Sequence, residues 1–264
     1  MKSIFFSIVA VMGLVPALYS CVSATAAERS LHAGTFNTLR VEGSIPVELI
    51  QLPDSAGCVR IYASERALPG VSATCTDGTL ALRYKAESPM QNYGSEVKRI
   101  VVYCGRDMHQ INLTGSGSID ARGINSSSEL TVLVTGSGSM KLQAPHCLNL
   151  TGSITGSGSL LLDAVKARNV STSVMGSGSL KVPALDATTF NCTLTGSGSV
   201  TVAGNAGKAS LALRGSGALN ASALNSSSLG LSVTGSGTIR YNPATANIKT
   251  VSGRTDGRGN ATNI

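Results

Sequence analysis

Apolar residues recur along this chain in short alternating runs, and most of the runs follow a Gly-Ser-Gly tripeptide. The tripeptide occurs seven times, its first glycine at Gly115, Gly136, Gly156, Gly176, Gly196, Gly215 and Gly235, with gaps of 21, 20, 20, 20, 19 and 20 residues. Two residues past the second glycine stand Ile119, Met140, Leu160, Leu180, Val200, Leu219 and Ile239. Four past it stand Ala121, Leu142, Leu162, Val182, Val202, Ala221 and Tyr241. The column between them, from Asp120 and Lys141 to Arg240, is mostly polar. Period-2 alternation marks a strand with one buried face. A second alternating run closes each repeat, as in Val132-x-Val134, Phe190-x-Cys192-x-Leu194 and Leu229-x-Leu231-x-Val233.

Each repeat is therefore expected to hold two short strands and a tight corner. One such unit cannot cover its own apolar face, whereas stacked units share a continuous interior. Helices are excluded by the period and by the abundance of Gly, Ser and Thr. The expected fold is all-β: a parallel, single-stranded β-helix, or solenoid, of about 20-residue coils rising about 4.8 Å each. The alternative is a sandwich whose strands zigzag, but identical chemistry at one phase of every repeat favours the stack.

Residues 34–110 lack the Gly-Ser-Gly corner yet carry strand-like runs such as Phe36-x-x-Leu39-x-Val41 and Val59-x-Ile61. They are expected to form an N-terminal β region that caps the coils of 111–241, because a covered edge cannot pair with other chains. Residues 254–264 are expected to be a polar tail.

The chain opens on Lys2, an apolar run from Ile4 to Leu18, and small residues around Ala24 and Ala26. This pattern predicts a signal peptide over 1–26, with the mature chain starting near Ala27. The run is shorter than the roughly 20 residues a spanning helix needs. Leu18-Tyr19-Ser20-Cys21 also resembles a bacterial lipoprotein box, from which Tyr19 departs. A lipid anchor at Cys21 would tether the protein, whereas cleavage near Ala27 would release it. No other segment is apolar enough to span a bilayer.

Charged residues are only 13% of the chain, and the net charge of +7 is scattered, which gives nucleic-acid binding little support. His32, His109 and His146 have no zinc-type spacing. Asp120, Asp163 and Asp186 fall at different phases, so they do not repeat as calcium ligands do. Between Asn112 and Arg240 the only acidic residues are these three and Glu129. Carbohydrate hydrolysis needs paired carboxylates, and no pair recurs at one phase. No catalytic, cofactor-binding or metal-ligating set is expected. Cys147 and Cys192 lie two coils apart at different phases and are expected to be unpaired. Any disulfide would then involve the N-terminal part, with Cys58–Cys75 preferred.

Two further features together resemble the head GIN domain family of auto-transporter adhesins. One is the opening Gly34-x-Phe36-x-x-Leu39-x-Val41-x-Gly43, with Val47-x-Leu49 and the turn Asp77-Gly78-Thr79-Leu80. The other is the corner train that begins Thr114-Gly115-Ser116-Gly117-Ser118-Ile119. The resemblance spans residues 34–253 as one domain. It implies a bacterial cell-envelope protein with a right-handed β-helix and supplies no catalytic residues. The sequence after Asn242 carries no alternating strands of an outer-membrane barrel, so self-secretion through such a barrel is not expected.

The leading functional expectation is a non-catalytic exported envelope or surface protein, in the periplasm, at the cell surface or secreted. Its partners are expected among glycans or other envelope components. A carbohydrate-active enzyme on the same scaffold is the alternative. A third reading, an ordered-water face, draws on the Ser and Thr ladders, but these are expected at corners rather than on a flat strand face.

Overall fold

The computed structural model describes residues 26–85, 93–105, 107–242, 250–251 and 260–263. The expected signal peptide, apart from Ala26, and the candidate anchor Cys21 lie outside them. The described residues form an all-β parallel solenoid of about 7 turns.

The repeat coils begin with β8 (Gln110–Gly115) and β9 (Ser118–Arg122). Next come β10 (Glu129–Gly136), β11 (Ser139–Gln143), β12 (His146–Gly156), β13 (Ser159–Asp163) and β14 (Val165–Gly176). The later strands wrap most of a coil: β15 (Ser179–Gly196), β16 (Ser199–Gly215) and β17 (Ala218–Thr234), followed by β18 (Thr238–Tyr241). Two short strands, β19 (Thr250–Val251) and β20 (Asn260–Asn263), continue the stack by pairing with β17 and β18. The expected polar tail thus contributes a strand of its own.

The registers place matching phases directly on one another. Ile119, Met140, Leu160, Leu180, Val200, Leu219 and Ile239 are successive parallel partners. All seven are 2% exposed or less. The facing sheet adds columns such as Leu130–Leu150–Val170–Phe190–Ala209–Leu229. Within that column the largest ring, Phe190, is followed by the smallest side chain, Ala209, which keeps the interior at constant width.

The corner glycines are fixed by stacking as well as by the bend. Gly156 has φ +115°, and a Cβ there would lie 2.6 Å from the carbonyl oxygen of Gly136. That oxygen accepts a hydrogen bond from the Ser157 N–H at 3.0 Å. The close approach of the two backbones, and the inter-coil hydrogen bond it allows, leave no room for a side chain.

Two features differ from expectation. Each coil has three sides, not two strands: between the first strand and the second the backbone makes a third ladder, with the columns Val165–Leu185–Gly204–Leu224 and Cys147–Ala167–Ala187–Ala206–Ser226. Its first column buries Val165, Leu185 and Leu224 but is broken at Gly204, and its second holds only small residues, so the apolar alternation that betrays a strand is weak. The coil order at the N-terminal end is also permuted. β2 (Thr38–Gly43) and β3 (Pro46–Gln51) form a coil directly beneath β8 and β9. Its corner, Gly43-Ser44-Ile45, stacks under Gly115 although it lacks the second glycine. The chain then leaves the stack and returns below this coil. There β6 (Thr79–Tyr84) pairs with β2, and β7 (Val97–Cys104) pairs with β3.

Three antiparallel strands close that end. β4 (Cys58–Ser64) pairs with β7, β5 (Val71–Thr76) pairs with β6, and β1 (Ala26–His32), which precedes residue 34, pairs with β4. The Arg29 guanidinium donates to the Val71 carbonyl at 2.7 Å and ties β1 to the start of β5. Charged Glu28 and Arg29 on the outermost strand discourage further edge pairing.

Candidate binding surfaces

The sheet that carries the second strand of each coil presents an outer face of unusual chemistry. Along β8, β10, β12, β14 and β15, three outward columns stand in register. The first is Gln110–Thr131–Thr151–Ser171–Asn191, and the second is Asn112–Leu133–Ser153–Ser173–Thr193. The third is Thr114–Thr135–Thr155–Met175–Thr195. All of these residues are exposed or half-buried, and none is charged. Strand spacing makes the face about 14 Å wide and about 19 Å long. Hydrogen bonds run along the axis: Ser153 Oγ lies 2.9 Å from Ser173 Oγ. At the border, Asn169 Nδ2 donates to Asn149 Oδ1 at 2.8 Å, and Thr189 Oγ1 donates to Asn169 Oδ1 at 2.6 Å. The Thr114 column was expected at a corner; it occupies the last outward position of each strand instead, because the bend begins one residue later. The hydroxyls therefore lie on a flat surface.

The sheet that carries the first strand is different. An open depression of about 380 Å³ lies over β3, β7, β9, β11 and β13. Charged Glu48, Lys98, Arg99, Asp120 and Lys141 line it. Glu48 and Asp120 are direct parallel partners. Sequence spacing could not show this pair, because it arises from the permuted coil order. Arg99 Nη1 lies 3.6 Å from Glu48 Oε1, and its guanidinium carbon sits 4.9 Å from the Tyr62 ring centre. Arg122 Nη2 donates to Asp120 Oδ2 at 2.8 Å, and Gln143 Nε2 donates to Asp120 Oδ1 at 2.7 Å. Burial pushes the Asp120 carboxyl up, but the hydrogen bonds from Arg122 and Gln143 and the Arg122 and Lys141 charges outweigh it and hold the pKa below the ordinary value. Asp120 is thus a carboxylate at neutral pH, suited to accepting hydrogen bonds and unsuited to donating a proton.

Among the described residues, no group of three or more His, Cys, Asp or Glu could hold a metal ion, and no helix is long and apolar enough to cross a membrane. His109 and His146 are exposed. His32 Nδ1 lies 3.8 Å from Cys58 Sγ across the β1–β4 pair. The preferred Cys58–Cys75 disulfide is absent: Cys58, Cys75, Cys104, Cys147 and Cys192 are all free thiols. The physical reason lies in the topology. Cys58 begins β4, which lies between β1 and β7 on the side of the coil that carries β3, whereas Cys75 lies on β5, which pairs with β6 on the side that carries β2. Burial pushes the Cys104 thiol up to about 12 and the Cys147 and Cys192 thiols up to about 11.

Solved structures share this fold. A putative adhesin from Bacteroides fragilis is 21% identical, with a TM-score of 0.71 over 83% of this chain and 98% of its own. A putative lipid binding protein from Parabacteroides distasonis is 20% identical, with a TM-score of 0.76 over 92% of this chain and 98% of its own. A putative adhesin from Parabacteroides merdae is 17% identical, with a TM-score of 0.57 over 92% of this chain and 97% of its own. No curated protein matches the chain. The family model described as "Putative auto-transporter adhesin, head GIN domain" matches residues 35–181 and 153–261. With nearly every coil of the solenoid inside those two matches, the chain belongs to the head GIN domain family of putative auto-transporter adhesins.

Proposed function

We propose that this adhesin-like protein is a non-catalytic component of the bacterial cell envelope, exported by its 1–26 leader, that binds uncharged glycan chains along the hydroxyl and amide face of β8–β15. One observation carries the reading: the chain has 35 residues of the Lys, Arg, Asp and Glu types, and none of them stands in the three outward columns between β8 and β15, where charge returns only at the borders, at Arg40 and Glu42 on one side and Arg214 on the other. A face of Ser, Thr, Asn and Gln offers both donors and acceptors, which is what sugar hydroxyls require. Each such bond contributes only about 0.5–1.5 kcal/mol, so affinity has to come from many rungs held rigid before binding. Asp120, held ionised by Arg122 and Gln143, is unsuited to the acid role that the hydrolase alternative needs.

A glycan array and a pull-down from envelope extracts test this reading, with the double variant Ser153→Arg/Thr193→Arg as the control. Retention of neutral polysaccharides by the parent protein, and its loss in the variant, is the expected result. Silence of the parent protein in both assays contradicts it. A second reading, an ordered-water face, gains from the flat placement of the Thr114 column. Leu133 and Met175 break its hydroxyl repeat, so no thermal hysteresis is expected.

A further inference from the structure

We infer that the depression over β3, β7, β9, β11 and β13 is a subsite for an anionic saccharide, with Lys98, Arg99 and Lys141 receiving its acidic group and Glu48 and Asp120 accepting hydrogen bonds from its hydroxyls. The site lies on a different sheet from the hydroxyl face and stands or falls independently of it.

Charge selects the ligand class. The lining carries three cations against two carboxylates, and Arg122 beside Asp120 adds a fourth cation at its border. A lone metal ion would meet net positive charge here. An anion meets attraction, and a group that also offers hydroxyls can engage the two carboxylates at the same time. The volume of about 380 Å³ falls within the range of small-molecule sites, roughly 300–1,000 Å³.

Preorganisation supports the assignment. Arg99 is held between the Tyr62 ring and Glu48, so its planar fork is oriented before any ligand arrives. A guanidinium carries five donors, and the contact with Glu48 engages one end of the fork. Arg122, two residues along the same strand, and Gln143, on the next coil away from Glu48, fix the Asp120 carboxylate. Leu161, half-buried on the next rung, gives the depression an apolar ledge for the carbon face of a sugar ring.

The acidic group could be a carboxylate or a sulfate ester, and the test separates the two. Isothermal titration at low salt with trigalacturonate, a sulfated galactan tetrasaccharide and neutral maltotetraose is compared for the parent chain and two charge-matched variants. One variant is Lys98→Gln/Arg99→Gln in the depression; the other is Lys208→Gln/Arg214→Gln outside it. At least one anionic oligosaccharide is expected to bind, and the depression variant is expected to weaken that binding at least about tenfold, the loss of one charge-assisted hydrogen bond, while leaving any heat from maltotetraose unchanged. The outside variant is expected to match the parent chain. The proposal is overturned if neither anionic oligosaccharide binds, if both variants lose affinity equally, or if the depression variant weakens maltotetraose as much as the acidic ligands. A failure of the hydroxyl face would show instead in the neutral-glycan assays.

Discussion

The carbonyl of Gly43 accepts hydrogen bonds from Ser116 N–H at 3.0 Å and Gly117 N–H at 2.8 Å, and a Cβ on Gly115 would lie 2.5 Å from that same oxygen. Gly43 and Gly115 are thus neighbours in the stack although all of β4–β7 lies between them in sequence. The same contact recurs at every later corner, so one backbone geometry sets both the bend and the coil spacing.

This makes glycine substitutions sharply position-dependent. Gly156→Ala brings a Cβ to 2.6 Å from the Gly136 carbonyl oxygen at φ +115° and is expected to cost more than about 3 kcal/mol. Gly123→Ala, at φ +66° with nothing within 4 Å, is expected to cost only about 1–2 kcal/mol. Urea unfolding of the two variants measures the difference.

A third glycine isolates the interior. Gly152 stands in the inward column Val132–Gly152–Thr172–Cys192. A Cβ there would meet only side chains, Leu160 Cδ2 at 3.3 Å and Leu162 Cδ1 at 3.5 Å, because these leucines fill the space the glycine leaves. Gly152→Ala is expected to change stability by less than about 1 kcal/mol, since a small shift of Leu160 and the stiffer unfolded chain offset each other. A cost as large as that of Gly156→Ala would show that the interior is packed differently.

The ring of Phe190 faces Val170 on one rung and Ala209 on the next. Phe190→Ala is expected to cost about 3–5 kcal/mol as a cavity. Ala209→Val alone is expected to overpack by about 1–3 kcal/mol, and the pair Phe190→Ala/Ala209→Val to cost less than the sum of its parts. Strict additivity in the double-mutant cycle would deny their contact.

Thiol chemistry gives a pH signature. Cys104, Cys147 and Cys192 are buried with pKa values raised from 9.0 to about 12, 11 and 11. At pH 8 the native protein is expected to alkylate at Cys58 and Cys75 while these three react only after unfolding. A raised thiol pKa means the native state keeps protons that the unfolded state releases. The contribution is therefore complete below pH 9 and falls as pH rises from 9 toward 11. Denaturant midpoints at pH 8, 9 and 10 are expected to decline in that order.

Much of this architecture was legible because a constant period fixes phase: Ile119 through Ile239 share one column in sequence and one in space. What escaped had physical reasons. The Gly43-Ser44-Ile45 corner was missed because Ile45 replaces the second glycine, although Val47 and Leu49 keep the two-on and four-on apolar pattern. The permuted order that sets Glu48 beside Asp120 carries no periodic signal. The third side was hidden because its apolar column of Val165, Leu185 and Leu224 is broken at Gly204, and the next column holds only the small Ala167, Ala187 and Ala206.

The stacking of equivalent coils is tested most directly by distances between corner serines. With Cys58 and Cys75 replaced by Ser, spin labels placed at Ser116 and in turn at Ser197, Ser216 and Ser236 report a spacing by double electron–electron resonance. The account predicts a steady increase through about 19, 24 and 29 Å, one strand spacing per coil. Distances that alternate or fail to grow along the series would contradict it.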